Sequence, residues 1–597
     1  RPGGFHLADK MLELCGLSGN GETLSVADIG CGRGGTVEYL KCRFPSWIVT
    51  GIDPDPSVCR EGLILPGRAE ALPFSDGSMD IVIMECSFSK TEDPKLALKE
   101  AFRVLKPDGW LLMSDMYARK KAVKLDGLLG RLSMIESIRK MLVSAGFSVL
   151  EMQDESQVLA EWVGQQILDG NREKLCRILG ADRQTLREAG SGYFICAAKP
   201  SDLWETLHYA EKNSPFYQER FRQAGISGIG AGDWDSFRKI PFTTAADLRE
   251  NPENFLCVPP KEIARIITLR TSGSSGKPKR LFFTEGDLLR TADFFEKGMQ
   301  YMVKPGDRVT VYMEGPGFFS IGGLLKEGLR RINVEVTVHG LIRDMKEAAR
   351  DGEGRNCFVG VPSQMYGLAV QAPELRPETV LLSADYVPVS VKRYLEKTWK
   401  CRVFTHWGMT ETGYGGGVQC GAREGYHLRD GDLLLEVIDP DTGQPVPEGE
   451  YGELVLTTLH RRGMPLIRYR TGDLGRFIYT ACGCGSLKPR LAEVEGRLDD
   501  VMRLPDGKIL SMHILDELLL SSGIIQDFEA FFDSAHGILK VAVMGLTEES
   551  AVSDKNAKDV AEAGLKQYFG DSLCIEVEEK NISPYIGSGK RRLKSAE

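Results

Sequence analysis

No apolar run in the 597 residues is long enough to span a bilayer, and Arg1–Lys10 carries no signal-peptide pattern. Neither a transmembrane anchor nor a secretory leader is therefore expected. The chain opens at Arg1 without an initiator Met, which leaves open whether residues precede it. Internal repeats and low-complexity tracts are also missing, which excludes solenoids and compositional linkers. Positive charge is in deficit: 75 Lys and Arg face 84 Asp and Glu, for a net charge of −9. That balance argues against nucleic acid or an anionic membrane as the main partner. Most of the 14 cysteines stand singly, as expected of reduced thiols in a cytoplasmic protein. What remains is 42% hydrophobic and 27% charged, the composition of a globular enzyme, long enough for about three or four domains.

The amino-terminal third opens with a short apolar run, Leu24–Asp28, ending in an acid. Gly30-Cys31-Gly32-Arg33-Gly34-Gly35 and a helical pattern follow. Strand, glycine turn and helix make the start of a nucleotide-binding α/β unit. A second strand, Trp47–Ile52, ends at Asp53, where a carboxylate can accept from ribose hydroxyls. Gly30, Gly32 and Gly35 also fit a dinucleotide fingerprint, so the glycines alone leave NAD and S-adenosylmethionine both open. The ordered combination Val26–Gly34, Arg68–Phe74, Met79–Val82 and Arg103–Leu112 resembles class I methyltransferases, with Arg68–Phe74 and Met79–Val82 expected as the third and fourth strands. The resemblance implies a Rossmann-like sheet whose first strand is closed by Asp28. It implies that Gly30, Cys31, Gly32 and Gly34 approach the methionine moiety, Asp53 holds the ribose, and Ala69 and Glu70 flank the adenine. Glu85, Cys86 and Ser87, just past strand four, are candidates to face the methyl acceptor, Glu85 also to bind S-adenosylmethionine, and packing is the alternative for all three and the favoured one for Cys86. Gly146–Glu151 and Tyr193–Ala197 read as the last strands. The helical stretch between them, 157–189, reads as an insertion over the acceptor site.

Near the middle lies Thr271-Ser272-Gly273-Ser274-Ser275-Gly276-Lys277-Pro278-Lys279. Backbone N–H groups, hydroxyls and ammonium charge in such a loop can wrap the β- and γ-phosphates of ATP. It lacks the four-residue gap and terminal Gly-Lys-Ser/Thr of the kinase and GTPase P-loop. By itself it could equally be a solvated turn. Three later segments bear on it: His406-Trp407-Gly408-Met409-Thr410-Glu411-Thr412, Tyr469-Arg470-Thr471-Gly472-Asp473, and Gly496-Arg497-Leu498-Asp499-Asp500. In this order they resemble the adenylate-forming superfamily of acyl- and aryl-CoA synthetases. Tyr209–Tyr217, Ile240–Leu248, Glu436–Pro440 and Gly463–Arg470 are similar to the phenylacetate–CoA ligase branch.

The resemblance implies roles for individual residues. Thr271, Ser272, Gly273, Ser274, Ser275, Gly276, Lys277 and Lys279 would cradle the outgoing pyrophosphate. Trp407, with Gly408 and Met409, would offer a flat face to adenine, and Ala384 and Asp385 would lie beside it. Thr410 would contact the α-phosphate, and Glu411 would ligand Mg²⁺. Asp473 would grip the ribose, with Arg497 in support. Asp499 would be the hinge of a mobile lid, and Lys590, in Gly587-Ser588-Gly589-Lys590, would bridge carboxylate and nucleotide during adenylation. Read from the residues alone, that terminal run is also a solvated tail. One departure stands out, since many relatives carry Gly-Gly-Glu where this chain has Ser383-Ala384-Asp385. Glu314–Gly323 is expected to line the acyl pocket.

Cys482-Gly483-Cys484 is a CxC turn rather than a paired CxxC. With Cys420 and His427 it supplies three thiolates and one imidazole, a set suited to structural zinc. Four unrelated residues are the alternative. The expected fold is multidomain α/β: a methyltransferase domain over 1–199, a large adenylate-forming domain over 201–497, and a small α+β lid over 498–597. The expected function is bifunctional, combining ATP-dependent activation of an aryl or arylacetic acid, transfer to CoA, and methyl transfer. One rival delivers the acyl group to a carrier-protein thiol or an amine. Another is a nucleotide-binding sensor or scaffold without turnover. Partners are a small carboxylic acid, CoA and an unread methyl acceptor, with neither nucleic acid nor membrane, and a homodimer is left open.

Overall fold

The structure is a computed structural model that describes residues 2–17, 21–125, 130–171, 183–269, 277–315, 317, 319–494, 496–498, 502–545, 556–580 and 593–596. It divides into two compact units. One comprises Arg1–Glu211, Glu219–Pro241 and Tyr479–Pro489. The other comprises Lys212–Gln218, Phe242–Ile478 and Arg490–Glu597.

The first unit is built on a seven-stranded sheet. Its strands are β1 (Ser25–Ile29), β2 (Ile48–Asp53), β3 (Ile64–Pro66), β4 (Met79–Glu85), β5 (Leu105–Ala118), β6 (Phe147–Asp154) and β7 (Ser191–Pro200). They lie in the order β3-β2-β1-β4-β5-β7-β6, with β7 antiparallel to both its neighbours. Val26, Ala27, Ile81, Val82, Leu111 and Leu112 are buried, as central strands covered on both faces require. The order reverses between β1 and β4, which opens a crevice at their carboxyl ends. Arg68–Phe74, expected as the third strand, is instead the turn after it, with Arg68 bridged to Ala71. Pro66 and Gly67 end the strand early, because proline has no N–H for the ladder. The helical stretch contributes helices Ser156–Leu168 and Arg183–Ala189, and 172–182 lies outside the described residues.

The outer edge of β6 is covered by residues from far along the chain. Asp154 N donates to Gly485 O at 2.9 Å and Leu487 N to Met152 O at 2.8 Å. Leu487 is buried among Phe147, Val149 and Met152, and Lys488 Nζ donates to Leu150 O at 2.6 Å. An edge strand with unpaired N–H and C=O groups is thereby closed.

The second unit begins its folded core with a ribbon of β8 (Ile263–Leu269) and β9 (Lys279–Thr284). A seven-stranded sheet follows, from β10 (Arg308–Tyr312), β11 (Glu335–Val338), β12 (Cys357–Gly360), β13 (Thr379–Leu382), β14 (Arg402–Trp407), β15 (Gly417–Val418) and β16 (His427–Leu428). The order is β11-β10-β12-β13-β14-β15-β16, parallel as far as β14 and antiparallel beyond. Thr284 opens the helix Glu285–Met299 with a reciprocal capping box to Asp287. Leu433–Ile438, Gly452–Thr458, Tyr469–Gly475 and Gly496–Arg497 form an antiparallel four-stranded sheet. The carboxyl-terminal part pairs four further strands and packs helices Met512–Leu520 and Ala557–Phe569 on them. Its Leu515, Leu519, Phe528 and Val543 share one apolar cluster with Tyr366, Leu395 and Trp399. The result is the multidomain α/β architecture that the motifs imply.

Candidate functional site

In the first unit the crevice above β1 and β4 carries the glycine turn. Gly30, Gly32 and Gly34 take φ of 72°, 55° and 79°, the left-handed region where a Cβ is strained. A Cβ on Gly30 would stand 2.5 Å from Ser87 Cβ, whereas Gly32 faces open space. The turn is tied to β2, because Asp53 Oδ2 accepts from Gly32 N at 2.8 Å and Oδ1 from Asp55 N at 3.0 Å. Thr36, on the helix Gly35–Arg43 that follows, donates to Glu85 at 2.7 Å. Glu70 Oε1 accepts from the backbone N–H of Glu92 and Asp93. Asp28 is buried at 2% exposure. Burial, with the carboxylates of Asp28 and Asp53, pushes the Cys31 thiol up to about 12. Cys86 Sγ lies 3.1 Å from Tyr193 OH, and burial pushes this thiol up to about 11. Both thiols are thus held in the protonated form. A turn whose half-buried Gly32 has open space where a Cβ would stand, with a carboxylate beside it, fits the methionine and ribose ends of S-adenosylmethionine.

In the second unit β14 runs into the turn Thr410–Thr412, which delivers Glu411 at 3% exposure. Lys279, the first residue of β9, pairs with Glu411. Tyr469 OH donates to Glu411 Oε1 at 3.1 Å, and Lys279 Nζ lies 3.3 Å from the same hydroxyl. Burial alone would raise the Glu411 carboxyl, but the Lys279 ammonium holds it below its ordinary value. The carboxylate therefore stays ionised in a dry setting, as a Mg²⁺ ligand must. Arg461 Nη1 donates to the Glu411 carbonyl at 2.7 Å, and burial pushes this guanidinium down to about 10.

Beside this cluster Trp407 Nε1 donates to Asp473 Oδ2 at 3.1 Å, and Arg497 Nε lies 3.2 Å from Asp473 Oδ1. Asp473 and Arg497 face each other across an antiparallel strand pair. One cleft is lined by Ala384, Asp385, Trp407, Gly408, Asp473 and Arg497, together with Tyr386 and His513. Ala384 takes φ 73° where a glycine would be unstrained, so the loop holds a costly conformation at the lip of the cleft. Met409 N donates to Thr412 Oγ1 at 3.1 Å, which fixes the turn bearing Thr410. Lys277 is exposed. Thr271, Ser272, Gly273, Ser274, Ser275, Gly276, Asp499 and Lys590 lie outside the described residues.

All six cleft residues named first are thus brought together, and Lys279 is paired with Glu411. Sequence reasoning missed Tyr469, Arg461, Tyr386 and His513 as neighbours of the site. Tyr469 stood inside a recognised motif without a role, and Tyr386 directly follows Asp385. His513 sits in no motif at all. The zinc candidates fall in two pairs, one in each unit. A Cys420 thiol and a His427 ring nitrogen lie within 4.8 Å in the second unit, and so do the Cys482 and Cys484 thiols in the first.

Residues 186–460 match the family model described as AMP-binding enzyme, and 27–113 match that described as methyltransferase domain. A phenylacetate-coenzyme A ligase of Thermus thermophilus is 31% identical over 319 residues, covering 51% of this chain and 71% of the relative. The chain belongs to the phenylacetate–coenzyme A ligase family. The family's enzyme from Escherichia coli is 26% identical over 53% of this chain and 74% of its own length. This ligase is fused to a methyltransferase domain. That part is 27% identical to a glycine/sarcosine/dimethylglycine N-methyltransferase of Actinopolyspora halophila, over 31% of this chain and 36% of that protein. The fold of the ligase part is shared with 2-hydroxyisobutyryl-CoA ligase in its postadenylation state. That match has a TM-score of 0.57 at 22% identity and covers 66% of this chain and 88% of the other. Among the described residues of this fused ligase, no helix is long and apolar enough to cross a membrane.

Proposed function

We propose that the chain activates an aryl or arylacetic acid with ATP and Mg²⁺, passes the acyl group to CoA, and separately transfers a methyl group from S-adenosylmethionine to a small acceptor. The observation that carries the ligase reading is the cleft itself. Arg497, which lines it with Trp407 and Asp473, acts electrostatically on Glu411 of the Lys279–Glu411–Tyr469 cluster, which supports reading an acid suited to Mg²⁺ near an aromatic face and an acid suited to ribose. A carboxylate oxygen attacks the α-phosphorus, its new O–P bond forms, and the bond to pyrophosphate breaks. Mg²⁺ supplies charge neutralisation on the phosphates. Glu411 would hold that ion, and Lys279 is placed to take up charge on the departing pyrophosphate. The CoA sulfur then attacks the acyl carbonyl of the mixed anhydride, and AMP leaves with the bonding electrons.

The domain reading we carry forward is methyltransferase over 1–199, with 157–189 over the acceptor site, large ligase domain over 201–497, and lid over 498–597 hinged at Asp499. We also carry forward zinc at Cys420, His427, Cys482 and Cys484, supported by the donor chemistry and by the closeness within each pair. The proposed location is the cytoplasm. For methyl transfer the acceptor must lie in line with the sulfonium methyl, an alignment effect that needs no nucleophile from the protein.

ATP–pyrophosphate exchange across aryl, arylacetic and aliphatic acids, each with and without CoA, tests the ligase reading. Exchange with an arylacetic acid and CoA-dependent AMP release are expected. Exchange without any thioester would move the acyl group to a carrier protein or an amine. Loss of exchange in Lys590→Ala, with thioester formation from a pre-made acyl-adenylate intact, is the expected signature of a lid lysine.

A further inference from the structure

Tyr386 and His513 are 127 residues apart in sequence and meet at the cleft. Tyr386 OH lies 2.6 Å from His513 Nε2, and the two rings are 4.1 Å apart at 30°. Burial, reinforced by the carboxylates of Glu517, Asp516 and Glu493, raises the Tyr386 phenol, so it keeps its proton, and the Nδ1–H tautomer of His513 accepts it at Nε2. His513 is the second residue of the helix Met512–Leu520, whose first turn Ser511 caps through Ile514 N at 3.3 Å. The same helix is held by Glu517, which accepts from Val389 N and from Ser390 N at the start of helix Val389–Trp399. Helix Met512–Leu520 is therefore docked by two polar contacts, one at the cleft and one beside it. Both Tyr386 and His513 line the cleft that also holds Trp407, Asp473 and Arg497.

We propose that Tyr386 and His513 form a clamp on the adenosine half of the nucleotide, with His513 acting as a positioning residue that orients the Tyr386 ring only while its helix is docked. The proposal rests on the reading of this cleft as an adenylate site and adds two residues that none of the recognised motifs contains. A purine offers a flat polarisable face, and a tyrosine fixed at both ring and hydroxyl can lie against it without losing much rotamer freedom. Without His513 the half-buried phenol loses this hydrogen bond and the ring loses its stacking partner.

The test is AMP titration by calorimetry on the full chain, with pyrophosphate exchange alongside. Tyr386→Phe keeps the ring and loses the hydrogen bond, His513→Ala loses the partner, and His513→Gln keeps an acceptor. Tyr386→Phe and His513→Ala should each weaken AMP about tenfold, the upper range for one hydrogen bond. His513→Gln should restore most of that loss, and the double variant should be no weaker than either single one. In exchange, KM for ATP should rise while kcat changes little. Wild-type binding with unchanged affinity in both single variants overturns the clamp, as does additive loss in the double variant. A wild type that does not bind AMP at all overturns the adenylate reading itself.

Discussion

Glu411 sits at 3% exposure with a lysine as its counter-ion, an arrangement in which each charge depends on the other. Removing one member of such a pair leaves the other buried and uncompensated, at a cost of roughly 3–5 kcal/mol. Glu411→Gln should therefore destabilise the ligase unit as well as abolish Mg²⁺-dependent exchange, and urea unfolding beside an exchange assay would separate the two losses. His406 differs in kind. Its Nδ1 lies 2.9 Å from Ser383 Oγ, its Nε2 has no partner among the described residues, and burial pushes it from 6.5 down to about 4. The unfolded chain takes up this proton near 6.5 while the folded one resists until about 4. The neutral ring therefore contributes its full stability above 6.5, and that contribution is lost as pH falls through the interval. His406→Phe should flatten the acid limb of stability, a difference on the order of 2 kcal/mol at pH 4. Equal acid limbs for both proteins in melts from pH 7 to 4 would sink this account. In the methyltransferase unit Asp53 carries two backbone hydrogen bonds. Asp53→Ala should weaken S-adenosylmethionine by about 1.5–3 kcal/mol, the range for charged hydrogen bonds, and calorimetry that finds NAD bound in its place would overturn the assignment.

At the scale of elements, the segment 482–488 is the least expected part of the structure. It pairs with β6 and inserts Leu487 into the core of a sheet that is otherwise complete by Pro200. Leu487→Ala should cost about 2–4 kcal/mol, as truncation of a buried leucine does. Methyl transfer should then fail at a lower temperature than pyrophosphate exchange, and parallel inactivation curves would check this. Nothing local announces such a pairing. β1 and β2 were legible because an apolar run ending in an acid is a local pattern, and the Glu411 turn because its motif is contiguous. Gln153 and Ser486 pair across more than three hundred residues, and neither side shows the alternation that marks a half-buried strand. Tyr386 and His513 escaped sequence reading for the same reason. The third strand was misread by a few residues because Pro66 and Gly67 end the ladder before the motif begins.

The whole chain joins two nucleotide-binding units, and each should respond to its own ligand. Binding to a folded state alone stabilises by about 2.7 kcal/mol at a hundredfold excess over Kd. In calorimetric melts S-adenosylmethionine should raise the transition of the first unit and AMP that of the second. A single transition moved equally by either ligand would show that the units unfold together.

The distant segment that closes the edge of β6 also bears on how the protein is made. β7 ends at Pro200, yet the residues that close the sheet edge begin at Tyr479. At about 5–20 residues per second, roughly 280 intervening residues keep the nascent sheet open for some tens of seconds. During that time a ladder of unpaired amides faces solvent with most of the ligase unsynthesised. Ribosome-bound chains halted before residue 479 should be cut by protease near β6 and held by chaperones, and those halted well past 489 should be neither. A fusion whose first sheet is closed by a segment from within its second part leaves the first enzyme unfinished until much of the second has been made.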